Sequence, residues 1–457
     1  MKYYLLLVML ICEITAAGTA IAQSNGWRRL IDAQTFGFDA NPQNPNTIIV
    51  GGFGRTFYRT EDNGNTWKID SIEFRGGTSQ LSNILIHPKD TNIVLAGGIF
   101  GSIVRSTDGG TQWETVFDPD EPTRFQMSGE VLISDPTNPN LVYTADHISN
   151  RVFKSYNAGI TWDTIAKFSL PKSHLCAMAV RPDSTNILLL GATSGLIFKS
   201  NDSGRTWRQT TQLRGFTDTE LPRFVFSRSN PLVAYTIVSY FYYKNRPNGG
   251  VYKTIDGGET WKMIGLQDTS FWAVAVRQFE GNDEVYVGGF TDNLSDSVET
   301  VIYGPGIVSR SRDGGSTWTS IDNGIPWLPN QPYFSPFRNV WMMKFIGNNP
   351  QTEKLYMATD AGFFVWDNTT NVKGNEPQDP SISINTQGRK LFINSDESIT
   401  SINLFSLQGK RVFSLSVSST SGNGLQTYKI PDNIATGVYN CMITTSHRII
   451  NKTILVE

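Results

Sequence analysis

The chain has 457 residues, a formal net charge of -2, 18% charged and 12% aromatic residues, and 41 glycines. A balance this close to neutral excludes the strongly basic domain of a nucleic-acid binder, and after the first residues no apolar run reaches the roughly 18 residues of a spanning helix. Charges fall below the roughly 25% of an average domain, and the wealth of glycine, β-branched and aromatic residues predicts an all-β protein.

At the start, Lys2 opens a short positive segment, residues 5–11 are apolar, and Ala20-Ile21-Ala22 offers a small-x-small cleavage pattern. This predicts a secretory leader over residues 1–22, with Gln23 opening the mature chain. Once the leader and its Cys12 are removed, Cys176 and Cys441 remain. They lie too far apart to suggest a disulfide framework or a short-spaced metal site. The fold has to be stabilised by its core.

From residue 60 onward one motif recurs at intervals of about 50 residues, the period of a repeat architecture. It reads Ser/Thr-x-Asp-x-Gly-x-Thr-Trp and occupies residues 60–67, 106–113, 155–162, 200–207, 254–261 and 311–318. Asp62, Asp108, Asn157, Asp202, Asp256 and Asp313 hold the third place. Asp or Asn there accepts bonds from nearby backbone amides, Gly supplies a positive φ, and Trp opens the next strand with a large apolar surface.

Ahead of each motif lie short extended segments, as in Ile84-Leu85-Ile86, Asn92-Ile93-Val94-Leu95-Ala96 and Gly101-Ser102-Ile103-Val104-Arg105. Four strands per repeat is the unit of a β-propeller blade. Residues 354–358 and 362–366 repeat the middle strands with no motif after them, whereas Trp27-Arg28-Arg29-Leu30 resembles an outer strand with no motif before it. Pairing the two completes a seventh blade and removes open sheet edges. A seven-bladed β-propeller over residues 23–370, closed by its N-terminal strand, is therefore expected.

The six motifs resemble the Asp-box, or BNR, repeats of sialidases, sortilin-type receptor ectodomains, xyloglucan-cleaving glycosidases and photosystem II stability-factor-like propellers. The blade content and spacing look closest to the single-ring stability-factor-like and sortilin-type propellers. The resemblance covers residues 27–366 and implies architecture; it carries no activity by itself.

Residues 371–380 are polar and read as a linker. Beyond it, Leu391-Phe392-Ile393, Ile402-Asn403-Leu404-Phe405 and Ile454-Leu455-Val456 are short strands separated by Gly and Asn, predicting a small β-sandwich over residues 381–457. Leu407-Gln408-Gly409-Lys410-Arg411-Val412, Gly437-Val438-Tyr439 and the closing Lys452-Thr453-Ile454-Leu455-Val456 resemble the type A C-terminal sorting domain of the type IX secretion system in Bacteroidota. Ser383-Ile384-Asn385 stands where that family usually has a Pro-Asn-Pro segment. The resemblance implies export through the periplasm of a Gram-negative cell to the medium or cell surface, with the secretion machinery as a partner.

Insertions fall mainly on the rim opposite the Asp-boxes, where a scaffold carries its binding loops. The candidate ligand contacts there are Tyr240, Tyr242, Tyr243, Arg246, Trp327, Tyr333 and Phe334, with Arg75, Arg124, Arg223 and Arg338 near the crossovers. Aromatic and basic residues together suit stacking on sugar rings or on a protein partner. A sialidase-like reading would need the four arginines to converge, with Tyr333 supported by Glu220 or Glu130. Glycosidase chemistry needs two carboxylates, for which Glu130, Asp218, Glu220 and Asp268 are candidates by location. In the xyloglucan-cleaving relatives two propellers form a cleft, and this chain has one.

His87, His147, His174 and His447 show no ligand spacing, and no nucleotide-cradling loop or Ser-His-Asp arrangement is visible. Neither a metal nor a cofactor is expected. The sequence thus favours an exported, non-catalytic binding or assembly propeller recognising a glycan or an extracellular protein. A glycoside hydrolase of sialidase-like type acting on extracellular glycans is the alternative.

Overall fold

A computed structural model describes residues 26–74, 80–99, 101–118, 127–213, 219–240, 249–289, 307–325, 339–350, 352–367, 382–396, 398–406, 411–417, 424–445 and 449–457. The predicted leader, the linker and the Leu407-Gln408-Gly409-Lys410 segment lie outside these residues.

Among the described residues the secondary structure is β-strand apart from one 3-10 turn, Thr193–Gly195. Up to Asp367 the strands form seven antiparallel sheets, each built from neighbouring stretches of chain. The first runs Thr35–Ala40, Ile48–Gly52, Thr56–Thr60, Lys68–Ser71, and the second Gln80–Ile86, Val94–Ile99, Ile103–Ser106, Glu114–Phe117. The third holds Ile133–Ser134, Val142–Asp146, Arg151–Ser155 and Asp163–Lys167; the fourth holds Leu175–Val180, Leu188–Ala192, Leu196–Ser200 and Arg208–Gln212. In the fifth, Thr219–Glu220 and Phe224–Phe226 both pair with Ala234–Tyr240, followed by Gly250–Thr254 and Lys262–Gly265. The sixth comprises Phe271–Phe279, Asn282–Gly289, Val308–Ser311 and Thr319–Ser320.

The seventh sheet joins the two ends of this region. Val340–Ile346, Lys354–Thr359 and Gly362–Asp367 are completed by Gly26–Ile31, which pairs antiparallel with Gly362–Asp367. Trp27 secures the junction: its amide donates to Asn323 O and its indole Nε1 to Ile321 O, each at 2.8 Å. Its ring meets Trp366 edge-on at 5.3 Å. The first strand of the first sheet packs against those of both the second and the seventh, so the set closes on itself.

Burial explains the sequence patterns. Middle strands such as Ile48–Gly52, Val142–Asp146 and Leu188–Ala192 are buried along their whole length, because a sheet lies against each face. They accordingly read as continuous apolar runs rather than as alternation. Outermost strands face solvent, and all four residues of Lys68–Ser71 are exposed. Apolar clusters bridge consecutive sheets, as where Ile49 and Phe57 pack with Leu81, Ile84 and Val94.

The six repeated turns share one hydrogen-bond scheme, except that the second has Gln112 in the closing threonine's place and only its amide reaches Asp108 Oδ1. Thr60 Oγ1 donates to Asp62 Oδ1 at 2.7 Å and accepts from Gly64 N at 2.9 Å, while Asp62 accepts from Thr66 N at 2.9 Å and from the Thr66 hydroxyl at 2.6 Å. Asn157 keeps the first bonds and reverses the last, with Nδ2 donating to Thr161 Oγ1 at 2.9 Å. The glycine takes φ between +82° and +103° in Gly64, Gly110, Gly159, Gly204, Gly258 and Gly315. A Cβ at Gly315 would stand 2.1 Å from Ile264 of the preceding sheet, so the turn is docked as well as bent. The tryptophan sits one residue ahead of its strand rather than in it, as Trp67 before Lys68–Ser71 and Trp318 before Thr319–Ser320. Its indole folds back under the turn instead, and in the third, fourth and sixth copies Nε1 donates to the glycine carbonyl.

Beyond the seven sheets, Ile382–Gln387, Lys390–Ser395 and Gly424–Lys429 make a three-stranded sheet. A four-stranded one has the order Arg411–Ser416, Ile399–Phe405, Gly437–Thr445, Ile449–Val456. Ile384, Leu391, Ile402, Leu404, Ile443 and Val456 form a core between the two.

Candidate active site

The innermost strands share an irregularity at one end. Pairing register shifts between Thr35 and Phe38, Gln80 and Asn83, Leu175 and Ala177, Phe271 and Ala273, and Val340 and Met342. A bulge leaves a residue outside the ladder and re-aims its side chain, a device common beside functional sites. Here the displaced residues include Phe36, Ser82, Trp272 and Trp341, and all four line one pocket of about 170 Å³. Met127, Ser128, Gly129, Glu130, Glu220, Pro222 and Arg223 are among the other residues of its wall.

Its aromatic side is a connected group. Trp341 lies 5.4 Å from Phe36 and 5.7 Å from Trp272, ring centroid to ring centroid. Trp341 Nε1 donates to Asp360 Oδ1 at 2.7 Å, and Gln34 Nε2 donates to the same oxygen at 2.7 Å. Burial pushes the Asp360 carboxyl above the usual range, with the Trp341 and Gln34 bonds opposing that shift.

Two carboxylates line the same pocket. Asn83 Nδ2 donates to Gly129 O, and its Oδ1 receives the amides of Val131 and Leu132, which clamps the segment carrying Glu130. The Glu130 amide donates to Pro222 O and its carbonyl accepts from Met178 N, each at 2.9 Å. Gly129, at φ +59°, permits this approach: a Cβ there would meet Pro222 O at 2.4 Å and Cys176 O at 2.5 Å. Arg223 Nε stands 3.1 Å from Glu130 Oε2, and Arg223 also donates to Met343 O at 3.0 Å. Glu220, nearly buried, accepts from Ser128 Oγ at 2.7 Å.

Behind Glu220 the structure assembles a group that no sequence spacing announced. One ligand atom from each of His147, Cys176 and Glu220 lies within 4.8 Å of the others, and all three residues are buried. They come from three successive sheets, so 29 and 44 positions of chain separate residues that are neighbours in space.

Of the expected rim contacts, Arg223 is buried in the ion pair with Glu130, so it acts inside the protein. Tyr240 ends the strand Ala234–Tyr240. Tyr242, Tyr243, Arg246, Trp327, Tyr333, Phe334, Arg75, Arg124 and Arg338 lie outside the described residues, as does Asp218. Asp268 sits in a turn at φ +63° and is absent from this pocket wall. His87 is in a turn, where Nδ1 accepts from Asp90 N at 2.9 Å. Phe36, Trp272 and Trp341 were not foreseen, because their displacement is a register shift between paired strands that the run of residues alone does not show.

No family model matches the chain. A xyloglucanase from Paenibacillus sp. is 25% identical over a match covering 55% of this chain and 34% of that protein, so the chain spans about a third of the curated relative's length. Among solved structures, the GH74 xyloglucanase from Xanthomonas campestris aligns with a TM-score of 0.55 at 13% identity, over 92% of this chain and 67% of that one. The GH74 enzyme of Niastella koreensis gives 0.53 at 16%, over 94% and 73%. YCF48 bound to a D1 peptide gives 0.50 at 16%, over 75% and 97%.

These likenesses make the fold a β-propeller. They also correct the expectation of a non-catalytic binding or assembly module, because the sequence relative is a xyloglucanase and two of the structural neighbours are GH74 enzymes. Of the four carboxylates named by location, Glu130 and Glu220 line this pocket.

Proposed function

We propose that the chain is an exported glycoside hydrolase acting on an extracellular β-glucan of the xyloglucan class, with Glu130 and Glu220 as its carboxylate pair. The observation that carries this reading is that both acids line one pocket together with Phe36, Trp272 and Trp341. Indole faces stack on the apolar faces of sugar rings, and glycosidic bonds are cleaved by paired carboxyl groups. One acid protonates the leaving oxygen; the other activates water or attacks the anomeric carbon, according to their separation. Arg223 orients Glu130, and Ser128 orients Glu220. The match to a xyloglucanase supports the substrate class.

The framework of this reading is a seven-bladed Asp-box propeller over residues 23–370, closed by the N-terminal strand. A linker over residues 371–380 and a C-terminal sandwich over residues 381–457 follow, the sandwich serving as a type IX sorting domain. Seven successive sheets and the pairing of Gly26–Ile31 with Gly362–Asp367 support it, as does the core between the two C-terminal sheets. Leader and sorting domain together carry the protein outside the cell.

The test incubates the mature chain with xyloglucan and with other β-glucans and measures new reducing ends. Release from xyloglucan is expected. A folded protein that releases nothing from any of them overturns the proposal.

A further inference from the structure

We infer that His147, Cys176 and Glu220 form a buried binding site for a zinc-class divalent cation next to the pocket, which Glu220 also lines. One ligand atom from each already lies within 4.8 Å of the other two. Imidazole, thiolate and carboxylate are the usual zinc donors, at about 2.0–2.3 Å from the metal. Three protein ligands leave a fourth tetrahedral position, and of the three Glu220 also lines the pocket.

The surroundings orient His147 and Glu220 as ligands need to be held, while the Cys176 thiol donates to His174 O at 3.2 Å. His147 Nδ1 lies 2.9 Å from Leu175 O. A carbonyl only accepts, so Nδ1 carries the proton and Nε2 keeps the lone pair. A metal-bound histidine is typically oriented by such a bond from its other nitrogen to a carbonyl or carboxylate. Stacking of the His174 ring on His147, at 4.8 Å between centroids, fixes the ring plane further. Glu220 Oε2 takes the Ser128 hydroxyl, leaving Oε1 for a cation.

Cys176 is itself a bulge residue, displaced from the ladder between Leu175 and Ala177 as Trp272 and Trp341 are from theirs. It occupies the place in the fourth sheet that these tryptophans hold in the sixth and seventh. Burial, reinforced by the Glu220 charge, pushes the thiol well up. A bound dication reverses that preference: the thiol proton leaves to solvent as the sulfur–metal bond forms.

Because Glu220 belongs to both groups, an ion there removes it from the carboxylate pair. This consequence for hydrolysis rests on the hydrolase reading, whereas the binding does not.

The experiment uses the whole mature chain, stripped with a chelator, dialysed against zinc chloride and then against buffer, with metal counted by mass spectrometry. One zinc per chain is expected in the unaltered protein, with at least about a tenfold loss of affinity in Cys176→Ser and in His147→Gln. Cobalt(II) in place of zinc gives a thiolate-to-metal charge-transfer band that requires no variant to fold. Absence of that band, or equal zinc content in variants and parent, overturns the site. Zinc that binds through Cys176 while no glucan is cleaved under any condition sinks the hydrolase reading alone. A cleaved glucan whose rate ignores bound zinc separates the ion from Glu220 and so also counts against the assigned ligand set.

Discussion

At the residue scale the site depends on close backbone approaches as much as on its acids. Gly129 lets three stretches of chain meet, with Pro222 O and Cys176 O standing where a Cβ would be. Gly129→Ala adds that Cβ at a φ of +59°, so the loop has to move and Glu130 moves with it. A penalty of more than about 1 kcal/mol is expected on denaturant unfolding, since the native conformation does not accept the new side chain. Glucan cleavage should fall further than stability does. A variant with unchanged midpoint and unchanged cleavage would show that the backbone at Gly129 does not position the acid.

At the element scale the repeated turns tie stability to pH. The Thr66 hydroxyl, then the Thr66 amide, holds the Asp62 carboxyl at about 2, and Thr206 does the same for Asp202. For Asp256, burial acts the other way and is outweighed by Thr260, again giving about 2. An unfolded aspartate titrates near about 3.9. Since the folded values lie below it, the turns contribute stability that is complete above roughly pH 4–5 and is lost as pH falls towards 2. Unfolding midpoints measured from pH 6 to pH 2 should decline in that window, and Asp62→Asn should flatten the decline. Asn157 already serves as a turn anchor through Nδ2, so the substitution keeps most of the bonding. A parallel decline in the variant would remove these turns as its cause.

The turns and middle strands were readable because their chemistry is local: Asp, Gly and Trp sit within eight residues, and strands covered on both faces are apolar throughout. The pocket was harder to read. A bulge is a fault in register between two strands, and register is a property of the pair. Phe271-Trp272-Ala273 and Val340-Trp341-Met342 look in sequence like ordinary buried runs. Glu130 and Glu220 were visible as residues near crossovers, but nothing in their own neighbourhoods announced that they line one pocket. His147, Cys176 and Glu220 went unpaired for the same reason, since closure of the sheets brings them together and chain spacing does not.

At the scale of the whole molecule, the N-terminal strand connects the beginning of the sheet region to its end. Trp27 is nearly buried, bonded to Ile321 O and Asn323 O, and stacked edgewise on Trp366. Trp27→Ala should cost about 3–5 kcal/mol, the range for removing a buried large aromatic, and should lower the melting temperature of the ring. A loss below about 1 kcal/mol would mean that the sixth and seventh sheets hold without this closure. Closure matters for the site because its walls come from sheets far apart in the chain: Phe36 and Ser82 from the first two, Trp272 and Trp341 from the last two.

The central claim is that this composite pocket cleaves a glycan with Glu130 and Glu220. The most direct measurement compares the rate of reducing-end release from xyloglucan by the parent chain, Glu130→Gln and Glu220→Gln, with matched circular dichroism confirming the fold. Each amide retains the shape of its acid and loses the proton chemistry, so turnover should fall by about 10²–10⁴-fold in both variants. Two variants that cleave at the parental rate would contradict the account and place the chemistry elsewhere on the protein.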